Sequence, residues 1–153
     1  MWVDMIRTAV FPHMQAHTNP EMLKPLRPIK LLIIDDSMDF HLLIKTLLED
    51  YGVSCVAATD VVQATSTAVR EQPNLILLDI GLPGGGGMLL LDRLKANLRT
   101  TKIPVIVVTA QTTPGLESKT RSQGAVAFLR KPIEKEMLID TLRQVLATPP
   151  TKQ

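Results

Sequence analysis

Leu75-Ile76-Leu77-Leu78-Asp79-Ile80-Gly81-Leu82-Pro83, continued by four glycines to Gly87, puts a carboxylate at the end of an apolar run and at the mouth of a flexible loop. Four consecutive aliphatic residues are of strand length without polar alternation, so the run reads as a strand buried on both faces. The same arrangement recurs along the chain. Asp35 and Asp36 follow Leu31 to Ile34, Thr109 follows Val105 to Val108, and Lys131 comes shortly after Phe128 and Leu129. In an open parallel sheet the carboxyl ends of the strands share one crevice, where such folds bind ligands. Three carboxylates, one hydroxyl and one ammonium then converge.

Strand-length apolar runs at Leu31 to Ile34, Ser54 to Ala58, Leu75 to Leu78, Val105 to Val108 and Ala125 to Leu129 alternate with segments of helical period. Phe40, Leu43, Ile44, Leu47, Leu48 and Tyr51 make one apolar face, and Gly52 stops that helix. Met88, Leu91, Leu94 and Leu98 make a second face, and Met137, Leu138, Thr141, Leu142 and Val145 a third. Val61 to Val69 turns Ala64 and Ala68 inward with weaker periodicity. Gly115 to Gln123 has almost no apolar face, so this helix should be the least stable. Continuous Val/Ile/Leu strands joined by right-handed crossovers predict an α/β fold, (βα)5, with a doubly wound five-stranded parallel sheet of order 2-1-3-4-5. That order brings Asp35 and Asp36 beside Asp79 at the switch point, with Thr109 and Lys131 on the next strands.

The chain has 153 residues, 45% hydrophobic and 21% charged, with a formal net charge of +2. There is no large basic field to recruit nucleic acid directly. No apolar stretch approaches the roughly 20 residues that span a bilayer, and the N-terminus lacks a signal-peptide pattern, so neither a membrane nor export is expected and the reading is cytoplasmic. Cys55, the only cysteine, lies mid-strand, which suits a small buried hydrophobe better than a nucleophile. Pro12, Pro20, Pro25 and Pro28 break up residues 1–27, which read as an extension outside a core domain at 28–147; residues 148–153 read as a short tail. Trp2, Met5, Ile6, Ala9 and Val10 repeat at helical spacing, consistent either with a short docking helix or with a tail, and translation starting at Met22 is a further alternative. His13 and His17 share a helical spacing but have no further ligand nearby.

Three carboxylates in one crevice repel, and burying them needs a compensating cation. Oxygen-only ligation at a site that must also admit phosphate oxygens favours Mg²⁺ with retained waters over zinc, and no Cys/His cluster competes. Lys131 can neutralise charge at rest and pair with an incoming anion, while Thr109 can donate a hydrogen bond to it. The residues suit phosphoryl transfer to Asp79.

On these five positions in order, the chain resembles the receiver domain of two-component response regulators, in a single-domain, chemotaxis-regulator-like form with a flavodoxin-like fold, from about Pro28 to Ala147. The resemblance implies that Asp79 accepts a phosphoryl group from a histidine kinase or phosphotransfer protein. It further implies that Asp36 ligates Mg²⁺ directly, Asp35 through water, and Gly81 through its backbone carbonyl. Lys131 corresponds to the phosphoryl-contacting lysine, Thr109 to the switch hydroxyl with Ala110 beside it, and Phe128 to the aromatic switch. The protein is then a phosphoacceptor with at most self-catalysed phosphorylation and dephosphorylation, not an enzyme. Downstream targets, or a second protomer in a homodimer, would read the face of helix 4, strand 5 and helix 5.

Several plainer readings compete. An Asp-Asp pair after a strand is often a helix N-cap, and a strand-end Thr or Lys is usually a solvated residue. A haloacid-dehalogenase-like phosphatase needs a second acid two residues after its nucleophile, where this chain has Gly81. The glycine run has neither the spacing nor the Gly-Lys-Ser/Thr of a nucleotide loop. A receiver-like binding module that is never phosphorylated is the remaining alternative, because the glycine-rich loop departs from the family pattern at Gly86. Asn74 and His41 also depart from it, and are read as not bearing on the site. Gly81 and Gln111 fall at positions that tune phosphoryl lifetime in the family.

Overall fold

The computed structural model describes residues 28–147; the proposed N-terminal helix, His13, His17 and the residue 148–153 tail lie outside the described residues. Five strands, β1 (Ile29–Ile34), β2 (Val53–Ala58), β3 (Leu75–Asp79), β4 (Val105–Thr109) and β5 (Ala127–Arg130), form one parallel sheet of order β2-β1-β3-β4-β5. Between them run α1 (Met38–Leu48), α2 (Val61–Glu71), α3 (Gly86–Ala96) and α4 (Leu116–Ser122), with α5 (Lys135–Ala147) after β5. The α/β fold and strand order are as the alternation of apolar runs requires.

Because strand side chains alternate, the continuous runs serve two cores at once. Leu31 and Ile33 face Phe40, Ile44 and Leu48 of α1 and Leu138, Ile139 and Leu142 of α5. Leu32 and Ile34 face Ala64 and Ala68 of α2 and Leu90, Leu91 and Leu94 of α3. Burying each large side chain contributes about 1.5–3 kcal/mol, which makes this two-sided burial the main stabilising term. Ser37 caps α1 by accepting the Phe40 N–H at 3.3 Å, and Asp60 caps α2 by accepting the Gln63 N–H at 2.8 Å.

Several boundaries differ from the periodicity. Leu98 lies beyond the end of α3 and is 93% exposed, while Leu43 and Met137 are also exposed. In α1 the buried face rotates by one position, taking in His41 in place of Leu43. Strand β5 starts at Ala127 rather than Ala125. Helix α4, the segment with the weak apolar face, is only seven residues long.

The loop after β3 uses its glycines. Gly84 and Gly85 have φ of 68° and 74°, a left-handed turn that side chains resist. At Gly87 a Cβ would lie 2.4 Å from the Ile80 carbonyl oxygen. We expect Gly87→Ala to destabilise the fold by roughly 2 kcal/mol or more, as a backbone overlap has no flexible neighbour to absorb it, measurable as a shift in the urea midpoint.

Candidate functional site

Register assembles the site. Ile34 pairs with Leu78, so Asp35 and Asp79 come next on adjacent strands; Asp79 pairs with Val108, one residue before Thr109; and Thr109 pairs with Arg130, one before Lys131. Asp35 and Asp79 thus stand level, and from β3 to β4 and from β4 to β5 the site residue moves one position further along the strand direction. The Lys131 N–H closes this edge by donating to the Thr109 carbonyl at 2.9 Å, and the Lys131–Pro132 peptide is cis.

Asp35 and Asp79 are buried and Asp36 is exposed, and each offers an oxygen within 4.8 Å of the others. Asp35 accepts the Ser37 N–H at 2.8 Å and the Lys131 ammonium at 2.7 Å. The ammonium also lies 3.6 Å from Asp79 Oδ2 and 4.3 Å from the Phe40 ring centroid, so one cation is held between two carboxylates and an aromatic face. Asp79 Oδ1 accepts the Gly81 N–H at 2.8 Å. Burial pushes the Asp79 carboxyl above its usual range, the Gly81 N–H and the Lys131 charge pull it back, and Asp35 adds a push upward. One ammonium against three carboxylates leaves the crevice net negative. The donor set is all oxygen, which suits a hard divalent cation and offers nothing to a soft one.

The remaining residues singled out in the sequence border this cluster. Thr109 is fully buried and its Oγ1 accepts the Gln111 N–H at 2.9 Å, with exposed Ala110 between them. The Gln111 side chain lies 3.4 Å from the point where a Cβ on Gly81 would stand, so these two positions face each other across the mouth of the crevice. Phe128 is half-buried, with the Arg130 guanidinium 5.5 Å from its ring centroid; Arg130 also donates to the Gln111 carbonyl at 3.0 Å.

Two residues escape the sequence reading. Phe40 was read as core alone, yet its ring also seats Lys131. His41, read as having no bearing on the site, is 2% exposed and its Nε2 donates to the Asp35 carbonyl at 2.7 Å, holding the backbone that carries the buried carboxylate. Its helical position next to Phe40 gave a face, but only the bend after β1 shows what that face meets. Replacement by Leu leaves a buried carbonyl without its donor, so His41→Leu should cost about 1–3 kcal/mol, with His41→Gln recovering part of it in urea unfolding.

The response regulator receiver domain family matches residues 31–143. The chain belongs to this family. Among curated relatives, this receiver domain is similar to Protein PilH of Pseudomonas aeruginosa, at 32% identity over 118 residues, covering 77% of this chain and 98% of that protein. It is similarly close to the polar-differentiation response regulator DivK of Brucella anthropi, at 32% identity over 119 residues and 78% and 97% coverage. Its structure superposes on that of the chemotaxis response regulator CheY4 of Vibrio cholerae with a TM-score of 0.71, at 26% identity and covering 78% and 100% of the two chains. Receiver domains are signalling phosphoacceptor domains of two-component systems. Among the described residues of this one, no helix is long and apolar enough to cross a membrane.

Proposed function

We propose that this receiver domain takes a phosphoryl group on Asp79 from a histidine kinase or phosphotransfer protein and thereby switches a protein-interaction surface. The observation that carries the reading is the shared crevice: a buried, backbone-oriented Asp79 beside two further carboxylates and a lysine that bridges them. Asp35, Asp36 and Asp79, with the Gly81 carbonyl, would hold Mg²⁺, whose role when bound is to neutralise charge on the carboxylates and on phosphoryl oxygens.

The chemistry asked of the chain is in-line displacement at phosphorus. A carboxylate oxygen of Asp79 forms the new bond to phosphorus, and the bond from phosphorus to the donor histidine nitrogen breaks, its electron pair staying on the imidazole. The Gly81 N–H fixes the orientation of the nucleophile by holding Oδ1. Lys131, already 3.6 Å from Asp79, is placed to exchange its bond with Asp35 for one with the phosphoryl oxygens. The exposed Met38 and Leu42 on α1, beside Asp36, give an incoming donor protein an apolar footing next to the site.

The added charge of about −1.5 to −2 then draws the Thr109 hydroxyl towards the new acceptor oxygens and lets half-buried Phe128 turn inward, reshaping the face of α4, β5 and α5 for a target or a second copy. Lys131→Ala should still be phosphorylated but fail to pass the change on, seen as loss of the difference between phosphorylated and free protein in α4–β5–α5 amide shifts. Incubation with a small phosphodonor and Mg²⁺, read by intact mass, tests the proposal. One added phosphoryl group supports it, no adduct leaves a binding module, and turnover of phosphomonoesters without adduct indicates a phosphatase.

A further inference from the structure

We infer that the groove between α2 and α3, away from the phosphorylation crevice, is a docking site for an acidic amphipathic helix of a partner protein. The groove encloses about 710 Å³ and is lined on the α2 side by Val61, Val62, Thr65, Val69 and Arg70 and on the α3 side by Arg93 and Arg99. Val61, Thr65 and Val69 recur every fourth residue and are half-buried, forming one apolar stripe, with Val62 beside it 80% exposed. β-Branched side chains have little rotamer freedom to lose on docking, so an exposed row of them is an inexpensive contact surface.

The groove is fastened at both ends. At one end Val61 reaches the start of α3, where a Cβ on Gly86 would lie 2.9 Å from its methyl group. At the other end Gln72, in a left-handed conformation just after α2, donates through Nε2 to the Arg99 carbonyl at 3.1 Å. Lys95 holds the following turn by donating to the Thr101 and Ile103 carbonyls at 3.2 and 2.7 Å. The walls are therefore set before a partner arrives, which lowers the ordering cost of binding.

Charge selects the occupant. No carboxylate lines the groove, and its three cationic residues are all arginines, suited to bidentate contact with carboxylates. Arg70 has Glu71 3.5 Å away, but Arg93 and Arg99 have no ion-pair partner among the described residues. From Val61 to Arg70 the wall runs about 14 Å, room for two to three turns of a docked helix, whose apolar side would meet the valines and whose acidic flank would meet the arginines.

The test is selection from a phage library of random 16-residue peptides on the full chain, with counter-selection on Arg70→Glu/Arg93→Glu/Arg99→Glu, a surface variant expected to fold and to accept the phosphoryl group as the wild type does. The expected result is enrichment of net-negative sequences with apolar residues three to four apart. Their binding, measured by fluorescence anisotropy, should weaken by about tenfold or more in the triple variant, and their amide-shift footprint should fall on α2 and α3. Failure to enrich, enrichment of basic sequences, or a footprint elsewhere overturns the inference. So does occupation of the groove by something else: self-association in sedimentation velocity that the triple variant abolishes, or co-sedimentation with phosphatidylglycerol vesicles that it abolishes.

Discussion

Asp79→Asn, incubated with phosphoramidate and Mg²⁺, is expected to stay at its unmodified mass while the wild-type chain gains one phosphoryl group. The amide keeps the shape of the side chain and can still accept the Gly81 N–H, so the fold should persist; what disappears is the anionic oxygen that attacks phosphorus. The same substitution should stabilise the protein. Burial, the largest influence on Asp79, raises its carboxyl above the ordinary range, which means the folded state holds the proton more tightly than the unfolded chain does. Between the ordinary value of about 4 and the raised folded value, the native state binds more protons, so stability falls as pH rises through that window. Asp79→Asn removes this decline together with the repulsion from Asp35. Urea unfolding at neutral pH without Mg²⁺ should show a gain on the order of 1 kcal/mol. Equal stability at neutral pH, or a gap between Asp79→Asn and wild type that does not widen as pH rises through that window, counts against the charged-crevice account.

Mg²⁺ should raise the melting temperature of the wild-type protein, and Asp36→Asn should remove about half of that rise at the same Mg²⁺ concentration. A cation binding only the folded state stabilises by about 2.7 kcal/mol at about 100 times its Kd. For a domain of this size that corresponds to roughly 10 °C. Asp36 is the exposed member of the triad and makes no ion pair among the described residues, so its replacement disturbs packing little while deleting one of the three carboxylates that would hold the cation. The variant should unfold at the wild-type temperature in EDTA but need roughly tenfold more Mg²⁺ for the same shift. Differential scanning fluorimetry across a Mg²⁺ titration reads both. An identical titration curve for wild type and variant contradicts a role for Asp36 in holding the cation.

Strand identity and order were legible because burial on both faces leaves no polar positions in Leu31 to Ile34, Leu75 to Leu78 or Val105 to Val108, a pattern few other structures share. The residues following those runs inherit their place from register, which is why the sequence pattern alone gathers Asp35, Asp79, Thr109 and Lys131. Helix faces were less legible. Leu43, Leu98 and Met137 fit an apolar period yet are exposed, since periodicity fixes spacing but not where a helix ends or how it rolls on the sheet. His41 and Phe40 were missed for a related reason: their partners, the Asp35 carbonyl and the Lys131 ammonium, are six residues and a whole domain away respectively. The glycine loop looked costly from composition alone. The close approach of Gly87 to Ile80 gives that cost a structural return.

The most direct measurement is to phosphorylate the wild-type chain with phosphoramidate and Mg²⁺, reduce it with borohydride and map the product by peptide mass spectrometry. Reduction of an aspartyl phosphate yields homoserine, and it is predicted at position 79 alone, only in samples that contained Mg²⁺. Homoserine at another aspartate, or none in a sample that received both reagents, would contradict the assignment of Asp79 as the phosphoacceptor.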